Sequence, residues 1–242
     1  MDIGVPYRDL GPVPVAPLME QVNALPAEAW QRHSIREDVL ADKVHAVTQT
    51  IVLRHEYHAG MNTVGYHHLE DLLYAWSLEK GVPPHEVAPI GRVDIDIGSV
   101  YVLPAWREFA ATAGPVVEAV HRLLGGRGVV TRVALVRLTP GARILPHTDN
   151  QPIAARAHRV HVPLAHPSGV EYKIDGRKLV MALGRAYDFN NRRRHSVRHN
   201  GKRPRVNLFI DVYPDARPAL ANPLRPRQPI YVGRAPDWTE AA

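Results

Sequence analysis

The chain has 242 residues, of which 45% are hydrophobic and 22% are charged, and this composition excludes a disordered protein. It contains no cysteine, which excludes disulfides, thiolate metal sites and a cysteine nucleophile. The formal net charge of +6 suits an anionic small substrate, an acidic peptide or a nucleic acid. Neither a signal peptide nor an apolar run of membrane-spanning length is visible, so we expect a cytoplasmic protein that does not associate with membranes.

The N-terminal portion, residues 1–128, is predicted to be mostly helical. Apolar residues recur there at three- and four-residue spacing, which is typical of amphipathic helices. Pro115 is placed in the first turn of the last of these helices. The predicted elements are an extended Pro-rich arm (1–17), a short helix (17–25), a strand (45–53) and two longer helices (66–80 and 115–124).

After Gly128 the pattern changes to short strands. Turn signals such as Asp175–Gly176 and Asn200–Gly201 separate runs rich in Val, Ile and Leu. The predicted strands are 129–138, 160–164, 170–174, 178–182, 186–189, 196–199 and 205–213. Many short strands at close spacing predict a sandwich or barrel, followed by a Pro-rich tail over 215–242.

His147, Asp149 and His195 form the candidate catalytic and metal-binding site. On an extended segment, residues two apart point the same way, so His147 and Asp149 can converge on one point. His195 lies at the start of a later predicted strand. Two imidazoles and one carboxylate on one face of a metal leave the other face open, an arrangement that suits non-haem Fe(II).

Arg205, at the start of the last predicted strand, is a candidate for binding a carboxylate, because its planar guanidinium can bind one bidentately. If this strand and the preceding one form a hairpin, a two-residue Asn200–Gly201 turn places Arg205 on the face opposite His195. A three-residue loop places both side chains on one face. A combined metal and oxoacid site therefore predicts a loop with an odd number of residues.

Taken together, these motifs resemble the aspartyl/asparaginyl β-hydroxylase family of Fe(II)/2-oxoglutarate oxygenases. The resemblance covers the chain from about Val133 to Pro214. It depends on Leu138–Gly141 leading to Pro146–Asp149, on Arg159–Leu164, on Asp188–Asn190, on His195–Val197, and on Arg205 with Ile210–Asp211. None of these motifs is specific alone, whereas the combination is.

The resemblance implies a mainly β fold with α-helices. Its core would be a double-stranded β-helix, which is a jelly-roll or cupin-like barrel, with the helical N-terminal portion packed on it. The expected organisation is one oxygenase domain over 1–242. Within it, 1–128 is the mostly helical portion, 129–214 is the jelly-roll core with the metal site, and 215–242 is the tail.

The resemblance also implies roles for individual residues. His147, Asp149 and His195 would hold Fe(II), Arg205 would pair with the distal carboxylate of 2-oxoglutarate, and Arg159 and His161 would help to hold this co-substrate. One departure from the family concerns Val136, since members can carry a serine near the co-substrate at about this position. The carboxylate of Asp149 disfavours a halogenase, because that chemistry usually needs the carboxylate position vacant.

The implied reaction is the O₂-dependent hydroxylation of an unactivated C–H bond, with release of succinate and CO₂. The expected substrate is an amino acid, an amino-acid derivative or a peptidyl residue. Its carboxylate could be bound by Arg137, Arg143 or Arg156. The run Arg192–Arg194 is either a solvated loop or an electropositive rim that attracts the substrate.

Two alternatives come from other functional classes. A non-catalytic, cupin-like metal-binding protein would keep the histidines but would not need Arg205 on the metal face. A nucleic-acid-binding protein would need a patch of arginines interleaved with aromatic residues. Aromatic residues make up only 7% of the chain and the arginine run has none beside it, which argues against nucleic acid. The sequence leaves the oligomeric state open.

Overall fold

The structure is a computed structural model that describes residues 1–32, 47–57, 88–94, 98–103, 105–150 and 152–214. In chain order, the elements are β1 (Tyr7–Pro12), α1 (Ala16–Ala24), α2 (Ala27–Arg32), β2 (Thr48–Tyr57), β3 (Ala88–Asp94), β4 (Gly98–Val102), α3 (Ala105–Leu123), β5 (Val129–Leu138), β6 (Arg143–His147), α4 (Pro152–Arg156), β7 (His158–Ala165), β8 (Val170–Ile174), β9 (Arg177–Leu179), β10 (Arg185–Phe189), β11 (His195–His199) and β12 (Arg205–Tyr213).

The strands form two sheets that face each other. The large sheet has the order β1-β10-β7-β12-β5-β2-β4-β3, and the small sheet has the order β6-β11-β8-β9. From β5 to β12 the chain therefore supplies β5, β7, β10 and β12 to one sheet and β6, β8, β9 and β11 to the other. This antiparallel, two-sheet arrangement of eight strands is a jelly roll, and it confirms the predicted fold class.

The alternation of side chains along β12 separates two cores. Val206, Leu208, Ile210 and Val212 belong to the apolar cluster that packs the large sheet against α1 and α3. The intervening side chains of β12 face the small sheet instead, because successive residues of a strand point to opposite faces. A second cluster, which includes Ile144, Tyr172, Phe189 and Val197, fills the space between the sheets.

Helix α3 begins ten residues earlier than predicted. It spans Ala105–Leu123 with Pro115 inside it, so the prediction that the helix begins at Pro115 is wrong. A proline removes one backbone hydrogen bond inside a helix. Here the cost is offset because the apolar stripe of Phe109, Ala113, Val116 and Val120 continues through the proline, and Pro115 itself is exposed. No helix among the described ranges is long and apolar enough to cross a membrane.

The described part of residues 1–128 contributes strands as well as helices. β2, β4 and β3 extend the large sheet beyond β5, and β1 pairs with β10 at its other edge. The expectation of a mostly helical portion did not include these strands, whose pairing is decided by distant partners. The helix predicted over 66–80 and the tail over 215–242 lie outside the described residues, as do positions 45 and 46 of the strand predicted over 45–53.

The hairpin considered for β11 and β12 is not present. β11 pairs with β6 and β8, while β12 pairs with β5 and β7, so the chain crosses from the small sheet to the large one over 200–204. The prediction of a loop with an odd number of residues assumed a hairpin between β11 and β12, and this assumption is wrong. Since consecutive strands at this point lie in opposite sheets, His195 and Arg205 can both face the interior whatever the loop length.

Candidate metal centre

The three predicted metal ligands meet at one end of the barrel. His147 ends β6 and His195 begins β11, and the two are register partners in the small sheet. Their ring centroids lie 4.3 Å apart. Asp149 follows β6 by two residues, and the ligand atoms of all three residues lie within 4.8 Å of one another.

The two imidazoles are oriented as metal ligands usually are. The Nδ1 atom of His147 lies 2.8 Å from the carbonyl oxygen of Leu145, and the Nδ1 atom of His195 lies 2.8 Å from that of Arg193. Because a carbonyl oxygen only accepts, each Nδ1 carries a proton, and in the neutral ring this leaves the lone pair on Nε2. These Nε2 atoms lie 3.4 and 4.0 Å from Oδ1 of Asp149. Two neutral imidazoles and one carboxylate therefore fit a divalent cation.

The carboxylate of Asp149 is held from behind by Arg159. Nη1 of Arg159 donates to Oδ2 of Asp149 at 2.5 Å, while its Nε and Nη2 donate to the two oxygens of Asp211 at 2.9 and 2.7 Å. Burial raises the pKa of Asp149, but the charge of Arg159 and the interactions with His147 and His195 together outweigh this effect, so the pKa lies well below its usual value. Burial likewise raises the pKa of Asp211, and Arg159 holds it below its usual value. Both carboxylates are therefore ionised, and Oδ1 of Asp149 faces the histidines.

Arg159 and His161 were predicted to help hold the co-substrate. The structure places Arg159 between two carboxylates, and the predicted contact with the co-substrate stays a prediction. The ring of His161 is stacked between Phe189 and Phe209, with centroids 4.6 and 4.2 Å away. Burial lowers the pKa of His161 well below its usual value, so the ring is neutral.

Arg205 lies inside the barrel, where no acidic side chain of the described ranges forms an ion pair with it. Its side chain is 1% exposed, and its Nε and Nη1 atoms have no hydrogen-bond partner among the described residues. The guanidinium carbon lies 5.5 Å from the ring centroid of Tyr172. A buried charge that is left unpaired costs several kcal/mol. Arg205 therefore marks a place where an anionic group can bind.

β12 relates this arginine to the metal centre. Arg205, Asn207, Phe209 and Asp211 alternate along the face of β12 that points to the small sheet. Asp211 contacts Arg159, which holds the carboxylate of Asp149, whereas Arg205 lies about 20 Å further along the strand, at about 3.3 Å per residue. Both residues lie on the interior face of β12.

The arginines considered for binding the substrate lie in different places. Arg137 lies 5.5 Å from the ring centroid of Trp30, on the helix-covered side of the large sheet. Arg156 lies 4.6 Å from the ring centroid of Tyr213. Arg143 begins β6 at the end away from His147 and is exposed. None of these three is brought into the triad by the described contacts.

The loop that contains the arginine run, residues 190–194, holds the main chain of Asp149. The backbone N–H of Asp149 donates to the carbonyl of Asn191 at 3.0 Å, and Nη1 of Arg192 donates to the carbonyl of Asp149 at 2.8 Å. Arg193 pairs with Asp175 at 2.6 Å instead. Of the run, Arg192 thus lies beside the metal centre, and Arg193 stabilises the loop.

Sequence reasoning missed the roles of three buried polar residues, namely Tyr172, Asn207 and Asp211. Asp211 was noted only as part of a motif. The signal that could have found Asn207 and Asp211 was the alternation of polar and apolar residues along a strand buried on both faces. Alternation along β8 marked Tyr172 only as an inward-facing residue, and nothing local indicated that its hydroxyl meets Asn207 of the other sheet.

Comparisons with known proteins agree with these observations. Residues 102–214 match the model of the family described as Aspartyl/Asparaginyl beta-hydroxylase, which confirms the resemblance seen in the sequence motifs. No curated protein matches the chain.

Several solved structures are similar to this chain at low identity. A non-heme monooxygenase, ThoJ in a nickel complex, is 16% identical with a TM-score of 0.41, over 88% of this chain and 76% of that one. A 2OG-Fe(II) oxygenase family oxidoreductase from Burkholderia pseudomallei is 15% identical with a TM-score of 0.39, over 86% and 94%. The Cupin_2 domain of an XRE family transcriptional regulator from Enterobacter cloacae is 21% identical with a TM-score of 0.28, over 34% and 81%. At these scores the similarities carry no argument about function.

Proposed function

We propose, from the premise that residues 102–214 match the aspartyl/asparaginyl β-hydroxylases, that this protein is an Fe(II)- and 2-oxoglutarate-dependent hydroxylase. The observation that carries the proposal is the buried guanidinium of Arg205, whose Nε and Nη1 have no acceptor in the described part of the chain and which lies in the same barrel as the His147–Asp149–His195 triad. A metal site alone would not need this second, distant positive charge.

The three ligands would hold Fe(II) from one side, with Oδ1 of Asp149 and the two Nε2 atoms as donors. When bound, the iron and the oxoacid supply the O₂ chemistry that hydroxylates an unactivated C–H bond and releases succinate and CO₂. The protein binds and orients these groups. Arg205 would neutralise the distal carboxylate of the oxoacid, and the rings of His161, Phe189 and Phe209 would exclude water from the space between.

The expected prime substrate is an amino acid, an amino-acid derivative or a peptidyl residue. Arg192 supports an anionic substrate, because its guanidinium lies beside the candidate metal centre, where its Nη1 donates to the carbonyl of Asp149. Its other N–H groups would bind a carboxylate that approaches the open side of the metal.

The test is an anaerobic titration of Fe(II) and 2-oxoglutarate into the metal-free protein. Binding is monitored by the visible charge-transfer band of the complex between iron and the oxoacid. We expect the band in the wild type. Arg205→Ala should weaken 2-oxoglutarate binding by about a hundredfold or more, because it leaves a buried carboxylate unpaired.

Arg203→Ala is the matched control, since this exposed arginine precedes β12 by two positions and its side chain makes no described contact with the triad. It should bind 2-oxoglutarate as the wild type does. Iron binding without the band would favour a non-catalytic, cupin-like metal-binding protein. Failure of both ligands to bind would contradict the metal assignment as well.

A further inference from the structure

We propose that the N-terminal segment 2–6 is a positioning element of the candidate metal centre, and that the buried amide of Asn190 connects it to the loop that holds two of the ligands. The inference rests on the proposed metal site and goes beyond it, because it assigns a role to residues far from the triad in sequence. Segment 2–6 and Asn190 act through the loop 190–194 and not through a contact with a ligand atom.

The loop 190–194 supports two ligands of the candidate metal centre. The carbonyl of Asn191 accepts from the backbone N–H of Asp149 at 3.0 Å. The carbonyl of Arg193 lies 2.8 Å from Nδ1 of His195. Groups behind metal ligands fix the orientation of those ligands and contribute to the metal affinity. The position of this loop therefore helps to determine where Asp149 and His195 direct their donor atoms.

Asn190 anchors the loop to segment 2–6. It is 0% exposed, and its Nδ2 donates to Oδ1 of Asp2 at 2.7 Å and to the carbonyl oxygen of Val5 at 2.9 Å. The backbone N–H of Asn190 also donates to the carbonyl of Pro6 at 3.0 Å. These hydrogen bonds cross from the loop to a part of the chain that lies near the other end of the sequence.

The same amide fixes the turn inside the loop. Oδ1 of Asn190 accepts from the backbone N–H of Arg192 at 3.2 Å, and the carbonyl of Asn190 accepts from that of Arg193 at 3.1 Å. An asparagine side chain that bonds the backbone two residues on is a common way to fix a turn. One end of the planar amide thus holds the turn and the other end holds segment 2–6. A shift of this segment therefore moves the two carbonyl groups that support the ligands.

The metal affinity of the folded protein separates this role from a purely structural one. Well below Tm nearly all molecules are folded, so a loss of global stability by itself leaves the dissociation constant of the metal unchanged. A positioning role changes this constant, because the ligands lose their preset orientation within the folded state. The measurement is the affinity of the full chain for Mn²⁺ by electron paramagnetic resonance, at a temperature where circular dichroism shows each variant to be folded.

Asn190→Ala should weaken Mn²⁺ binding by about tenfold, the lower end of the range for groups behind metal ligands, since Asn190 acts through the loop. Gln21→Ala is the matched control. The amide of Gln21 joins α1 to α3 by donating to the carbonyl of Glu108 at 2.8 Å, on the helix side of the large sheet. This variant should lower Tm but bind Mn²⁺ as the wild type does. Equal losses of affinity in the two variants would overturn the inference.

Asp2→Ala tests segment 2–6 itself, because it leaves Asn190 and its turn intact. We expect Mn²⁺ to bind several-fold more weakly. Asp9→Ala is the matched control and removes the same charge. Each aspartate accepts from the N–H of the glycine two residues later, but Asp9 pairs with Arg185 at the start of β10, away from the loop. Asp9→Ala should leave the affinity unchanged, and equal losses in both variants would overturn the role of the segment.

The double variant Asp2→Ala/Asn190→Ala tests whether the two residues act together. Its affinity for Mn²⁺ should fall no further than that of Asn190→Ala, because both changes break the same connection. Fully additive losses would mean that the two residues act independently and would overturn the inference.

The outcomes separate this inference from the proposed function. If the wild type binds no Mn²⁺, the metal site and the positioning role both fail. If the wild type binds Mn²⁺ and both Asn190→Ala and Asp2→Ala bind it equally well, the metal site stands and the positioning role is wrong. Should Asn190→Ala not fold, Asp2→Ala decides alone, since Asp2 is exposed and its replacement leaves the buried amide in place.

Discussion

At the scale of single residues, the candidate metal centre lies at one end of a line of alternating charges. Arg132 lies 3.8 Å from Asp211, which binds Arg159, which in turn binds Asp149. Asp211 touches no metal ligand directly, and we regard it as a positioning residue. Its carboxylate occupies two nitrogens of Arg159, so only Nη1 is left for Asp149, and Oδ1 of Asp149 stays directed at the histidines.

Asp211→Asn should therefore weaken metal binding by about 10- to 100-fold, as is typical when a group behind a metal ligand is changed. Without the second carboxylate, Arg159 pairs more fully with Asp149 and competes with the cation. The measurement is the affinity for Mn²⁺ by electron paramagnetic resonance. Glu118→Gln, which removes an exposed ion pair with Arg122 on α3, is the control and should change nothing. An unchanged Mn²⁺ affinity in Asp211→Asn would refute the positioning role.

At the scale of elements, the crossing from β11 to β12 determines where Arg205 enters the barrel. His199 supports this loop, since its Nε2 donates to the carbonyl of Arg203 at 2.8 Å and its Nδ1 accepts from the N–H of Gly201 at 3.1 Å. The loop packs tightly on Gly169, where an added Cβ would lie 2.6 Å from the backbone nitrogen of Gly201. Gly169 also has a φ of +90°, which favours glycine.

Gly169→Ala should lower the free energy of unfolding by about 2–5 kcal/mol, from left-handed backbone strain plus steric overlap. Gly176→Ala is the control, because its φ is +74° but nothing lies within 4 Å of the added Cβ. It should cost only the strain, about 1–2 kcal/mol. Thermal unfolding and the 2-oxoglutarate affinity of both variants check this. Equal stability of the two variants would mean that the loop contact does not matter.

At the scale of the whole molecule, the two apolar cores assemble without help from the metal centre. One core joins the helices to the large sheet, and the other fills the barrel beside the triad. His147, Asp149 and His195 belong to neither cluster. The fold should therefore survive removal of metal, and metal binding should add stability only through linkage.

Chelation should leave cooperative unfolding intact. Free Fe(II) at about 100 times its dissociation constant should then raise the free energy of unfolding by about 2.7 kcal/mol. This corresponds to an increase in Tm of about 5–10 °C, since each kcal/mol shifts Tm by about 2–4 °C. His147→Ala should keep the fold but lose this increase and iron-dependent turnover, whereas His121→Ala, a change at the end of α3, should retain both. Unfolding on chelation, or a normal increase in His147→Ala, would contradict the account.

The amino-acid sequence by itself determined much of the barrel. The bounds of β5, β8 and β12 agree with the predicted strands 129–138, 170–174 and 205–213. Alternation and turn residues are local signals, and each strand here carries both. The His147–Asp149 pair was readable for the same reason, because its two side chains share a face through local geometry alone.

Only the tertiary structure decided how these strands pair and what their polar residues contact. It placed β11 and β12 in opposite sheets, continued α3 through Pro115, set Arg159 between two carboxylates, and brought Tyr172 to Asn207. Each of these depends on segments distant in sequence. The sheet that a strand joins and the charge that a buried arginine pairs with both follow from the burial of apolar surface across the whole barrel. The local periodicity of the sequence contains no information about either of them.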